Sequence, residues 1–312
     1  MFVSLAALIG GIGLLAYAAD QFVLGSARVA LIKRVRPLVV GVLIVGFGTS
    51  APELLVSVLA ATGGEPAIAI GNIVGSNLAN LSLLLGVGAV LVPLVVDSRT
   101  VRREASLAVG ASLVFLGVVQ GGGITSLEGG LLLALMIGVV FAVTRRSPGD
   151  PLADETIDLT EPSEHRLGPE AVRTLIGLVG TVAGAQLLLW GAVDLAERAG
   201  LSAGFVGATI VAVGTSLPEL VTVIQSARRR ETELIVGNLL GSNIFNALVV
   251  GGAVGLVRVS PFDAPSLTGL AAMAVVVVSI IALVAMRTSH TVTRVEGFLL
   301  IAGYAAIIPF LA

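Results

Sequence analysis

Displaced against itself by 166 residues, this chain lines up its polar residues with their own kind. Thr49, Ser50, Pro52 and Glu53 fall on Thr215, Ser216, Pro218 and Glu219. The stretch "GNIVGSNLAN" from Gly71 falls on "GNLLGSNIFN" from Gly237, so Asn72, Ser76, Asn77 and Asn80 meet Asn238, Ser242, Asn243 and Asn246. Gly25 meets Gly191 and Gly41 meets Gly207; further on the offset drifts to 168, where Glu128 meets Glu296. Self-similarity of this kind constrains architecture before any element is assigned. It predicts one unit used twice.

What that unit is follows from its setting. The repeated carboxylates sit in a chain that is 56% hydrophobic and 12% charged, where soluble domains carry roughly 25% charged residues. Long apolar runs read as transmembrane helices of about 20 residues each. Ten spans are predicted, near 3–30, 38–62, 67–92, 105–120, 128–144, 171–198, 204–226, 232–256, 265–286 and 297–312. The N-terminal "AYA" resembles a cleavage site, but the segment lacks a positive leader region and has a counterpart in the second half. It is read as a retained first helix. The expected fold is therefore an all-α polytopic membrane protein. Residues 1–144 form the first five-helix repeat and 171–312 the second, with a hydrophilic linker rich in Pro, Asp and Glu over 145–170. Five is odd, so the two repeats enter the bilayer in opposite directions. That inversion is a signature of secondary transporters, whose site lies at the midplane between repeats.

Charge gives the orientation. With both termini outside, 15 of the 18 Lys and Arg fall in alternate loops on the cytoplasmic side, the linker among them, and only Arg198 and Arg258 on the other. An integral membrane location is expected. No run of basic residues suggests nucleic acid. The absence of cysteine excludes disulfides, thiolate metal sites and cysteine nucleophiles.

A charged residue at the centre of a bilayer costs roughly 2.5–3.5 kcal/mol. No Lys or Arg lies in either motif, so the charge compensating Glu53 and Glu219 must be a proton or a bound cation. The neighbours favour a cation. Thr49 and Glu53 share a helical face, as do Thr215 and Glu219, and Asn72, Ser76 and Asn80 form a polar stripe repeated by Asn238, Ser242 and Asn246. These are oxygen donors, which hard cations prefer. Pro52 and Pro218 cannot donate to the carbonyls of Gly48 and Gly214, which should be freed for another partner. Gly46, Gly48, Gly71 and Gly75 permit close approach. Asn72, Asn77, Asn238 and Asn243 read equally well as glue between helices. Glu128 and Glu296 begin helices, where a carboxylate suits the positive end of the dipole. Asp20 and Asp194 fall near helix ends, and His165 and His290 lie in loops without a metal role.

"GTSAPELL" with "GNIVGSNLAN", and "GTSLPELV" with "GNLLGSNIFN", resemble the two alpha-repeats of the Ca2+/cation antiporter superfamily, in its prokaryotic sodium/calcium exchanger branch. The motifs would span 41–81 and 207–247. The resemblance implies exchange of Ca2+ for Na+ at overlapping sites by alternating access. The first helix of each half, here those containing Leu14 and Leu188, would slide across the rest. It implies Glu53 and Glu219 as shared ligands, with Thr49, Ser50, Thr215 and Ser216 beside them. Ser76, Ser242, Asn80 and Asn246 complete the set, and Gly46 and Ala212 would offer carbonyls. Asn246 stands where some relatives carry aspartate, leaving two formal charges rather than three. That argues against potassium co-transport and leaves proton coupling open, with sodium favoured. Transported Ca2+ and Na+ and the lipid bilayer are the expected partners, no cofactor is expected, and the chain is expected to act as a monomer. A Ca2+/H+ antiporter is the alternative. A channel fits a single-chain inverted repeat poorly, and an enzyme lacks a nucleophile paired with histidine.

Overall fold

The computed structural model describes residues 1–33, 48–96, 104–144, 166–257 and 267–311. Within these residues the chain is helical almost throughout, as it must be in hydrocarbon, where backbone N–H and C=O groups have no water to turn to. The helices are α1 (Phe2–Ile32), α2 (Ala51–Thr62), α3 (Pro66–Leu91), α4 (Ser106–Val119) and α5 (Ser126–Thr144). Then follow α6 (Leu167–Ala199), α7 (Ala203–Thr215), α8 (Leu217–Arg229) and α9 (Thr232–Leu256). A π turn at Leu267–Ala271 leads into α10 (Ala272–Ser289), and α11 (Arg294–Ile307) closes in a short 3-10 turn, Ile308–Leu311. Six of these helical stretches are long and apolar enough to cross a bilayer, and seven if α7 and α8, bent by 45° at Ser216, are one span.

α1 and α6 lie against each other along their whole length. They run antiparallel, since Ser4 meets Asp194 at one end and Arg28 meets Glu170 at the other. Glycines bring the two backbones together. A Cβ on Gly11 would stand 2.5 Å from the Leu188 nitrogen, and one on Gly177 2.4 Å from that of Phe22. The contacts obey the 166-residue displacement: Gly11 maps to Gly177 and Phe22 to Leu188. The end contacts obey it too, because Ser4 maps to Glu170 and Arg28 to Asp194. Arg198 clasps Asp194 with both ends of its guanidinium, at 2.6 and 2.9 Å, and Arg173 stands 3.6 Å from Glu170.

α3 and α9 carry the core. Every residue from Ile68 to Ala79 is buried. Each helix contains a π turn beginning at the asparagine that the repeat shares, Asn80–Leu84 in α3 and Asn246–Val250 in α9. One extra residue per turn there rotates everything downstream relative to the motif, a device common at functional sites. Glu128 and Glu296 lie in the first turns of α5 and α11, as expected. Each carboxylate takes the N–H and hydroxyl of a threonine three residues earlier, Thr125 or Thr293.

Two expectations are corrected, and a third lies partly outside the described residues. The hydrophilic linker assigned to 145–170 ends earlier, because α6 already begins at Leu167, and Glu170 is a buried helical residue. Its charge made the segment look like linker; the ion pair with Arg28 explains its burial. The fold is not purely α: Leu94–Val95 (β1) pairs antiparallel with Thr291–Val292 (β2), tying the end of α3 to the start of α11. Two residues per strand leave no period-2 signal to read. Of the span expected near 38–62, only the turn from Gly48 and α2 fall among the described residues.

Candidate ion-binding site

The site grows from two helix starts, the second of them at the bend between α7 and α8. Ser50 (φ −88°, ψ 10°) and Ser216 (φ −83°, ψ 11°) leave helical geometry in nearly the same way, and a new helix starts directly after each. The cause is Pro52 and Pro218, each in the first turn of the new helix, where a missing N–H costs nothing. Glu53 and Glu219 therefore sit in the first turns of α2 and α8, at the ends whose free N–H groups favour negative charge. Both residues are 0% exposed.

The break brings the halves together crosswise. The Ser50 hydroxyl donates to Glu219 Oε1 at 2.9 Å, and the Ser216 hydroxyl donates to Glu53 Oε1 at 2.9 Å. Each carboxylate is thus held by the serine of the other repeat. Ser242 on α9 adds a longer contact to Glu219 Oε1 at 3.4 Å. Asparagines stitch the helices behind. Asn72 Nδ2 donates to the Glu53 carbonyl at 3.3 Å and to Ser57 Oγ at 2.9 Å, while its Oδ1 accepts from Thr215 Oγ1 at 3.1 Å. Asn80 Nδ2 donates to Asn243 Oδ1 at 3.0 Å, and Asn243 Nδ2 to the Asn77 carbonyl at 3.1 Å.

What remains unpaired is informative. Among the described residues, Glu53 Oε2, Glu219 Oε2, Thr49 Oγ1, Ser76 Oγ, Asn77 Oδ1, Asn80 Oδ1 and Asn246 Oδ1 are buried without a hydrogen-bond partner. Buried polar atoms are ordinarily satisfied, and leaving one without a partner costs about 1–3 kcal/mol, more when it is charged. Seven such oxygens on the two repeated motifs are donors of the kind a hard cation prefers. Among the described residues no cluster of three or more His, Asp or Glu competes as a metal centre.

The site residues expected from the sequence fall as follows. Glu53, Glu219, Ser50, Ser216 and Ser242 are joined by the bonds above. Ser76, Asn80 and Asn246 are all 0% exposed, on the adjoining α3 and α9. Thr215 is turned to Asn72 and to the Ala212 carbonyl at 3.2 Å, which also accepts the Ser216 N–H at 3.1 Å. Gly46 lies outside the described residues. One expectation is corrected: the Gly48 carbonyl is not free, because the Ala51 N–H reaches it at 3.1 Å as the turn tightens to i→i+3. Ser57 was missed; its place one turn after Glu53 on the same face was the available signal.

Two buried acids, each braced by a serine of the opposite repeat, thus sit inside a helical protein with several helices apolar and long enough to cross a membrane. The model of the sodium/calcium exchanger protein family matches residues 3–145 and 170–312, and the chain belongs to that family, within the prokaryotic branch of the Ca2+/cation antiporters. It is 34% identical over 301 residues to the putative antiporter CaxA of Alkalimonas amylolytica, covering 94% of both chains. It is 28% identical to the sodium/calcium exchanger MaX1 of Methanosarcina acetivorans, covering 96% of each. A solved structure of the sodium-calcium exchanger NCX_Mj, soaked with Na+ and Ca2+, matches with a TM-score of 0.67 and 28% identity over 99% of this chain and 98% of that one.

Proposed function

We propose that this protein exchanges Ca2+ for Na+ across the membrane by alternating access at the Glu53–Glu219 site, with ten helices arranged as two inverted repeats of five. The single observation that carries the reading is the crosswise bracing of two buried carboxylates, each left with one oxygen unpartnered. One dication or two monocations neutralise the pair. The same oxygens cannot serve both loads at once, so the ions compete, and competition at one site is what couples two fluxes.

The antiparallel α1–α6 contact, obeying the repeat displacement, supports the inverted arrangement and a moving pair of helices. The arginine-rich loops support cytoplasmic placement of the 145–165 segment with both termini outside. The proposed ligands all belong to one chain, which supports a monomer as the working unit.

The test is 45Ca2+ uptake into proteoliposomes. Uptake is expected to require an outward Na+ gradient and to disappear in Glu53→Gln and in Glu219→Gln. A pH gradient that drives uptake equally well without Na+ would assign the second reading, a Ca2+/H+ antiporter. That reading draws on the same feature, because a proton can also fill an unpartnered carboxylate oxygen.

A further inference from the structure

We propose that Asn72 and Asn238 are paired latches that shut alternately, and that this structure has the Asn72 latch shut and the Asn238 latch open. The inference rests on the alternating-access reading above.

The shut latch is the three-way bridge of Asn72 to the Glu53 carbonyl, Ser57 and Thr215. Displacement by 166 residues carries those partners to Asn238, the Glu219 carbonyl, Val223 and Thr49. The bridge is not made there. Asn238 Nδ2 and Thr49 Oγ1 are both buried atoms without a partner among the described residues. Exposure points the same way. Thr215, Asn72, Gly71 and Gly75 are buried, whereas their counterparts Thr49, Asn238, Gly237 and Gly241 are half-buried. Gly75 is so tightly set that a Cβ would stand 2.3 Å from the Ala208 carbonyl of α7. The crossing of α3 with α7 is closed; residues 38–42, which stand in the equivalent place beside α9, lie outside the described residues.

In an inverted-repeat carrier, the opposite-facing state arises when the two repeats exchange conformations. The Asn238 latch would then close on Thr49 and the Glu219 carbonyl while the Asn72 latch opens. The exchange is chemically unequal. Ser57 gives Asn72 an acceptor, and Val223, fully buried in the equivalent place, gives Asn238 none. The present state is favoured by one buried hydrogen bond, an effect of about fivefold on the equilibrium between states. Ser57 and Val223 thus set which face the empty carrier presents.

Two substitutions test this: Val223→Ser and Ser57→Val. Each introduces the side chain that the related position already holds, and either alone suffices should the other fail to fold. Half-saturating Ca2+ for Na+-driven exchange is measured separately at the two faces, in right-side-out and inverted vesicles. Apparent affinity at a face scales with the population open to it. Both variants are expected to raise the half-saturation value at the face where α9 begins relative to that where α3 begins, by about fivefold. A site merely loosened would raise both values together and leave their ratio fixed. An unchanged ratio alongside active exchange overturns the latch and spares the antiport reading. Absence of Na+-driven exchange in the unaltered protein removes that reading and the latch with it.

Discussion

Ser50 and Ser216 do for the site what no residue of their own repeat does. Each is fully buried or nearly so, at 0% and 1% exposure, and each spends its proton on the other repeat's carboxylate. Hydrogen bonds to charged groups contribute about 1.5–3 kcal/mol. Ser50→Ala and Ser216→Ala are therefore each expected to slow Na+-driven Ca2+ uptake at least about tenfold, by similar factors because the geometry is mirrored. Initial-rate measurements on the two variants check this, and a large effect from one alone would mean that the mirror is cosmetic. Much of this was legible in the sequence. Glu53 and Glu219 stood out because a carboxylate in an apolar run needs a compensating charge; the bend at Ser216 did not, because 204–226 reads as one continuous span. The crosswise pairing was not legible, since nothing in one copy of a motif says that its serine serves the other copy. Nor was Ser57, because a lone serine in a membrane helix ordinarily bonds back to its own backbone.

At the scale of elements, packing here depends on backbones meeting. Gly75 on α3 faces the Ala208 carbonyl of α7, and Gly71 faces that of Gly204, at Cβ distances of 2.3 and 2.7 Å. Gly13 on α1 has nothing within 4 Å among the described residues. Gly75→Ala must push α3 and α7 apart and is expected to cost about 1–3 kcal/mol, as overpacking does. Gly13→Ala is expected to be neutral or slightly stabilising, since alanine is the better helix former. Thermal unfolding in detergent distinguishes the two. Helix existence was readable from hydropathy because every span must satisfy its own backbone. Helix ends were less so. α6 starts at Leu167 because buried Glu170 is answered by Arg28 from α1, a partner 142 residues away. Composition alone counts Glu170 as a mark of linker.

Over the whole molecule, α1 and α6 form one two-helix body, clipped at one end by Ser4, Asp194 and Arg198 and at the other by Arg28, Glu170 and Arg173. If this body carries the conformational change, loosening a clip should slow turnover without touching the ion site. Glu170→Gln is expected to lower the maximal exchange rate severalfold while equilibrium 45Ca2+ binding stays unchanged; weakened binding would mean that the clip acts on the site itself. The amide at Asn246 has a consequence at this scale too. If the proposed site is loaded as inferred, one calcium ion or two sodium ions cancel the charges of Glu53 and Glu219, and either loaded form is electrically silent. The resting voltage performs no work on either crossing. A third sodium ion would add one uncompensated charge, and voltage would then act on that step alone, at about 2.3 kcal/mol per 100 mV. Whether current accompanies the flux thus reads out how many monovalent ions share the chamber.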